Sequence, residues 1–330
     1  MAPLGLYIMV GTDLQTAITF LQQGQLVAIP TETVYGLAAN AFNPEAVAQI
    51  FAVKNRPSFN PLIIHTNNLN RLQDWGLHLP DKMFQLAAFF SPGPLTYVIP
   101  KSNIIPDIVT AGTQAVAVRI PNHPLTLDLL SKLDFPLAAP SANPSGYVSP
   151  TTAQHVNQQL GNTLPYILDG GACHVGVEST IISFLDDTPT LLRHGGITLE
   201  QIEQVIGKVI DKPGEAGEDI LTDNPVAPGQ LARHYATKHL LIHDNPSKYF
   251  DQFNPQKTAV ISFTTTYPQV PQHLQFVLSQ QANLAEAAQK LFAVMRLVDA
   301  LDVDVILAEK FPDEGLGKAI NDRLKRASVK

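Results

Sequence analysis

Two rhythms of apolar and polar positions run along the chain. Short apolar runs closed by proline, glycine or clustered polar groups predict buried strands at residues 26–30, 61–65, 94–100, 115–121, 165–171, 178–185 and 188–196. Residues 136–146 predict a strand running into a proline-rich turn. Helical spacing predicts helices over 43–55, 81–90, 124–133, 151–160 and 198–207. The first of these has Asn43 as N-cap and Pro44 at its first position, with Val47, Ile50 and Phe51 on one face. Pro124 opens the third, Ser149 or Thr151 caps the fourth, and Gly207 stops the last. From 208 to 238 the rhythm fails. That stretch is rich in glycine, proline and acidic residues and reads as a linker or mobile loop. Alternation then returns, with strands at 258–263 and 303–309 and helices at 283–302 and 316–328, the pattern of a small α/β domain. The expected division is therefore 1–207, 208–238 and 239–330, with no internal repeat.

The 330 residues exceed what one core usually needs, and 45% hydrophobic residues with 15% charged exclude whole-chain disorder. The single cysteine, Cys173, permits no internal disulfide, which fits a reducing compartment. No run reaches the ~18 apolar residues of a membrane span, and the N-terminus lacks the basic start of a signal peptide, so a cytoplasmic location is expected. Net charge is −7, and residues 1–205 hold 8 Lys/Arg against 14 Asp/Glu. Neither half is a basic body for nucleic-acid phosphates, so any anion must be held by a few placed cations.

The usual machinery is absent. There is no P-loop, no GxGxxG after a strand, no GxSxG elbow and no zinc spacing among the ten histidines. Polar clusters instead stand at strand ends: Thr31, Glu32, Thr33, Tyr35 and Gly36; Lys54, Arg56, Asn60 and His65; Arg119; Ser141 and Asn143; Glu178, Ser179 and Thr180; Arg193 to Gly196. Each has a plain structural reading. The threonines suit a turn, Lys54 and Arg56 suit a helix C-terminus, and Arg119, within an apolar strand, requires a carboxylate partner. Their number favours a site assembled at strand ends.

The motifs PTETVYGL, KxRP…NPLIIH, SPGPLT, VAVRIPNH, APSANPSG, DGG…GVESTII and LLRHGGI, in this order, resemble those of the YrdC-type threonylcarbamoyl-AMP synthases. PGQLARHYAT and the tail from FAVMRLVDAL to NDRLKRA resemble the linker and C-terminal domain of the longer form. The resemblance implies a twisted mixed sheet with helices and a concave site, then a linker or lid and a small Rossmann-like domain. It implies a nucleotidyltransferase that joins L-threonine, bicarbonate or CO2, and ATP, with Mg2+ accompanying the ATP rather than bound to a protein cluster. The products are threonylcarbamoyl-adenylate and pyrophosphate, and downstream tRNA threonylcarbamoyl transferase machinery uses the adenylate.

By matching positions, Thr33, His65, Arg119, Ala139 and Ser179 take threonine. Arg56, Asn60, Ser141, Asn143, Ser149, Arg193 and His234 take ATP. Lys54 and Arg56 are the catalytic cations, and His234 and Tyr235 form the lid. Thr31 and Glu32 read as turn and supporting groups, and Gly36 as a point of close backbone approach. The departures from the pattern are Ala115 for a common threonine, Thr237 for a proline, Ser91 for an aromatic residue and Asn55 for a glycine. Two other readings stand beside this one. An RNA-binding module for tRNA or double-stranded RNA conflicts with the acidic first half. A hydrogenase-maturation carbamoyl transferase conflicts with the lone cysteine.

Overall fold

The computed structural model describes residues 9–213 and 234–329. Among them, eleven strands form one mixed sheet: β1 (Met9–Gly11), β2 (Val27–Ile29), β3 (Gly36–Asn40), β4 (Ile63–His65), β5 (Leu95–Pro100), β6 (Ala115–Arg119), β7 (Leu137–Ala138), β8 (Tyr166–Leu168), β9 (Thr180–Ser183), β10 (Thr190–Arg193) and β11 (Ile210–Asp211), in the order β1-β8-β2-β3-β7-β4-β6-β5-β9-β10-β11. A second sheet, β12 (Leu240–His243), β13 (Thr258–Ser262), β14 (Gln275–Val277) and β15 (Val305–Ala308), is wholly parallel, in the order β12-β15-β13-β14. The helices Leu284–Asp299 and Leu316–Ala327 accompany it, as alternation of strand and helix requires for parallel pairing. The expected α/β class, with a large twisted sheet and a smaller α/β unit, is the observed one.

Several local expectations hold and several shift. Asn43 caps the helix Pro44–Lys54 through its side chain, and Val47 and Ile50 are buried. Phe51 is only partly so. The helix Ala153–Leu160 is capped by Thr152, which accepts from the His155 amide, rather than by Ser149 or Thr151. Ser149 is instead turned inward onto Glu178. The GLAAN run after the polar cluster, for which the sequence pattern predicts no element, is β3, folded antiparallel onto β2. A Cβ at Gly36 would stand 3.2 Å from the Ala139 Cβ, so the missing side chain lets β3 lie against residues 139–141. β11 pairs with β10. The large sheet thus runs past residue 207 into the segment expected as linker. Residues 214–233 of that segment, most of the PGQLARHYAT motif included, lie outside the described residues.

The second core is not confined to its own sheet. Val34, Val148, Val177 and Tyr235 pack into the cluster built by the C-terminal domain. The helix Leu284–Asp299 reaches across: Arg296 donates to the carbonyls of Val148 (2.7 Å) and Ser149 (3.2 Å), and Asp299 accepts from the Tyr147 hydroxyl (2.6 Å). At Gly176 a Cβ would sit 2.4 Å from the Gln289 backbone, so the two domains touch main chain to main chain there.

Candidate active site

The strand register explains why distant residues meet. His65 on β4 pairs with Arg119 on β6, Arg119 with Thr96 on β5, and Thr96 with Ile181 on β9. Ser179 immediately precedes β9, and its hydroxyl lies 2.7 Å from that of Thr96. Side chains two apart share a face, so Ile63 and His65 face the same way. The alternate residues Ile64 and Val118 go to the large core.

On the site face lies a cavity of about 50 Å³ lined by Arg56, His65, Arg119, Ala139, Ser141 and Ser179, with Arg193, His234, Tyr235 and Glu178 closing it. Val34, Ile63 and Pro140 complete the wall. Nine of the residues expected at the site are thus brought together. Five are not on the wall. Thr33 sits just behind it, its hydroxyl accepting from Arg119 Nη2 (2.9 Å) and facing the Thr31 hydroxyl (2.9 Å). The Lys54 ammonium, expected to meet phosphate or carbamate, is buried on the carbonyls of Ser141 (2.5 Å) and Asn143. It braces the turn that presents Ser141. The Asn143 amide donates to the carbonyls of Pro144 and Tyr147. Ser149 donates to Glu178 (2.7 Å), and the Asn60 carbonyl accepts from Arg56 Nε (3.1 Å).

Arg119 has the carboxylate its burial demanded. Nη2 lies 2.8 Å from Glu32 Oε1, a carboxylate 1% exposed, and Nε donates to the Gly93 carbonyl (3.3 Å). The approach to Glu32 is an ion pair without hydrogen-bond alignment, since neither Glu32 oxygen has a hydrogen-bond partner among the described residues. Arg193 donates twice to the Ser179 carbonyl (3.1 and 2.9 Å) and once to its hydroxyl (3.2 Å), fixing the strand end that carries Glu178 and Ser179.

Cations outnumber carboxylates here. Burial, then the charge of Arg193, pushes Arg56 down to about 9. Arg193 is pushed to about 10, again chiefly by burial. Burial, then Arg56, holds Lys54 well below its ordinary range. Arg56 and Arg193, both on the cavity wall, carry their charge at a cost that an anion bound there would relieve. Burial pushes His65 down to about 3, with Arg119 adding to the effect, and burial does the same to His234 despite the nearby Glu178. Both imidazoles are neutral at pH 7.

A histidine whose folded value lies below its unfolded value of about 6.5 makes the unfolded chain the stronger proton binder. Stability is therefore full above about 6.5 and declines from there toward about 3. Urea midpoints at pH 7 and pH 5 are expected to differ, and His65→Gln is expected to lessen the difference. An unchanged difference would remove His65 from the account.

Three residues that shape the site have no role legible in the sequence motifs. Glu178 stands there only as one of a polar cluster. Arg296 and Arg323 carry one signal, a charged residue in the apolar stripe of each helix.

Comparison with known proteins bears on this arrangement. The family model described as "Telomere recombination" (Sua5/YciO/YrdC) matches residues 19–195, and that of the threonylcarbamoyl-AMP synthase C-terminal domain matches residues 197–329. A threonylcarbamoyl-AMP synthase of Pyrococcus abyssi is 41% identical over 327 residues, covering 96% of this chain and 94% of the relative. The chain belongs to the threonylcarbamoyl-AMP synthase family. A second synthase, from Bacillus subtilis, is 42% identical over 321 residues, 94% of this chain and 92% of its own. The crystal structure of P. abyssi Sua5 complexed with L-threonine superposes with a TM-score of 0.88 at 40% identity, covering 96% of this chain and 94% of that one. In this synthase fold His65, Arg119 and Ser179, aligned through Thr96 behind them, share one cavity wall with Arg56 and Arg193.

Proposed function

We propose that the chain is a threonylcarbamoyl-AMP synthase, converting L-threonine, bicarbonate or CO2, and ATP to L-threonylcarbamoyladenylate and pyrophosphate. The observation that carries this reading is the convergence of Arg56, Arg119 and Arg193 on a cavity to which Glu178 brings the sole carboxylate among its lining residues. Such a surplus fits a carboxylate and a triphosphate bound side by side. Arg119 meets the threonine carboxylate, with Nη2 already oriented by Glu32 and Thr33. Ser179 and neutral His65 serve the hydroxyl and amine, and the backbone at Ala139 lies alongside. Arg56, Arg193 and Ser141 line the nucleotide side. Asn60, Asn143 and Ser149 act there from behind the wall, and Lys54 holds the Ser141 turn in place.

The chemistry needs no protein nucleophile. The neutral threonine amine adds to CO2, taken up directly or formed from bicarbonate by loss of hydroxide, and the proton released from nitrogen passes to that hydroxide or to water. The carbamate oxygen attacks the α-phosphorus in line, and the bond to pyrophosphate breaks as its charge passes to Arg56 and Arg193. Positioning and charge stabilisation supply the rate. Mg2+ belongs to the ATP: both oxygens of Glu178, the carboxylate lining the cavity, are engaged by Ser149 and Arg323. About 50 Å³ admits only a few waters. Substrates therefore require His234 and Tyr235 to withdraw, and their return shields the carbamate from water. The division into a catalytic part, a linker that starts after β11 and a supporting domain belongs to the same reading, as does a cytoplasmic setting for delivery to the tRNA-modifying transferase. Among the described residues no helix is long and apolar enough to cross a membrane.

The test is pyrophosphate release from ATP without RNA. Release is expected only when threonine and bicarbonate are both present. Release that ignores threonine, or none at all, sinks the reading.

A further inference from the structure

We infer that Arg323, carried by the last helix of the C-terminal domain, is a positioning residue of the active site that acts through Glu178 and Tyr235. Its side chain is fully buried, yet its partners belong mostly to the other domain. Nε meets Glu178 Oε2 at 3.1 Å, and Nη1 donates to the His194 carbonyl at 2.6 Å. The guanidinium lies 5.6 Å from the centroid of the Tyr235 ring, on the side chain that closes the cavity. One cation thus touches the strand end before β9, the turn after β10 and the returning segment. Asp322, its neighbour on the helix, orients Nη1 from 3.0 Å.

Two features show that these contacts hold something that would otherwise not stay. Tyr235 has φ 62°, a left-handed backbone that an aromatic residue adopts only under restraint. Its ring is gripped between Arg323 and Phe292, the latter stacked at 5.3 Å and 27°. Glu178 is a buried carboxylate one residue from Ser179. Burial alone would raise it, but Arg323 first, then Arg193, His234 and the Ser149 hydroxyl, bring it below its ordinary value. These groups, with Tyr235, face Glu178 from the helix Leu316–Ala327, from β10, from the returning segment and from the loop before residue 153. Ionised, Glu178 holds Ser149 and keeps the Glu178–Ser179 backbone under the Arg193 fork. The C-terminal domain thereby completes the site by lending it a charge.

The inference rests on the synthase reading, but its test does not depend wholly on activity. Glutamate labelled with 13C at the carboxyl lets the Glu178 titration be followed by NMR, assigned with Glu178→Gln. Arg323→Met is expected to raise the Glu178 midpoint by about two units, the usual effect of losing an adjacent opposite charge. Arg323→Lys keeps the charge and is expected to hold the midpoint near the parent value. Exposed Lys325→Met, on the same helix, is expected to change nothing. Pyrophosphate release should fall roughly tenfold or more in Arg323→Met. The double variant Arg323→Met/Glu178→Gln should be no worse than Glu178→Gln alone.

A folded Arg323→Met with an unmoved midpoint overturns the inference, as do losses that multiply in the double variant. Should Arg323→Met fail to fold, the double variant decides. With the carboxylate gone it should fold, and its failure counts against the pairing. If the parent protein releases no pyrophosphate, the synthase reading falls, and the NMR titration still tells whether Arg323 governs Glu178.

Discussion

Arg119→Ala is expected to raise the threonine requirement roughly 100-fold, from the loss of charge-assisted hydrogen bonds of about 1.5–3 kcal/mol. The ATP requirement should change little. In the proposed arrangement the threonine carboxylate has this guanidinium as its partner, whereas the triphosphate side keeps Arg56 and Arg193. The substitution also strands Glu32, which is 1% exposed and has no hydrogen bond to fall back on. Removing one member of a buried pair costs about 3–5 kcal/mol, so a lowered melting temperature is expected as well. The two effects separate in Arg119→Ala/Glu32→Gln, which should recover stability but not threonine affinity. Steady-state kinetics with each substrate varied, alongside thermal melts, reads both. Equal rises in the two requirements would take the carboxylate contact away from Arg119.

A second large effect is expected from adding one methyl group at Gly195. A Cβ there would stand 2.3 Å from Glu178 O, Ser179 C and Thr180 N, all main-chain atoms. No rotamer relieves such contacts, so β10 and the start of β9 must part, and the Arg193 hydrogen bonds to Ser179 stretch or break. Overpacking of this kind costs about 3 kcal/mol. In a domain of this size that is a drop of roughly 10 °C. Threonine-dependent pyrophosphate release should be nearly lost even below the melting point. Gly207→Ala provides the contrast: nothing lies within 4 Å, so only the strain of its own backbone (φ +76°, ψ −157°), about 1–3 kcal/mol, applies and the Arg193–Ser179 bonds stay intact. If the two variants lose activity alike, close approach is not why residue 195 is glycine.

Much of the fold was legible because apolar periodicity and capping chemistry are local. The helix Pro44–Lys54 announces itself through Asn43, Pro44 and its buried positions. β3 did not, because GLAAN is small and follows a dense polar cluster. Only its long-range pairing with β2 and residues 139–141 makes it a strand. The site was legible where a residue's burial conflicts with its chemistry. Arg119 inside a run of valines forces a carboxylate partner, and Glu32 answers it. Lys54 shows the opposite limit. A lysine at a helix end can reach outward or inward, and only the tertiary turn at Ser141 and Asn143 decides for inward. The contribution of the second domain was the least legible part. Yet Ile320, Arg323, Leu324 and Ala327 follow helical spacing, so an arginine stood in an apolar stripe. That conflict is visible in the sequence, though its partner across the domain boundary is not.

The ion pair between Arg323 and Glu178 makes each domain depend on the chemistry of the other. Cut away from the last helix, residue 178 would be a carboxylate without this cation, and Tyr235 would lose one wall. Cut away from the strand end before β9, the last helix would carry a buried arginine with no carboxylate to meet across the boundary. Neither half is therefore a part to be transplanted unchanged: a graft of one onto another protein has to alter residue 178 or residue 323 with it.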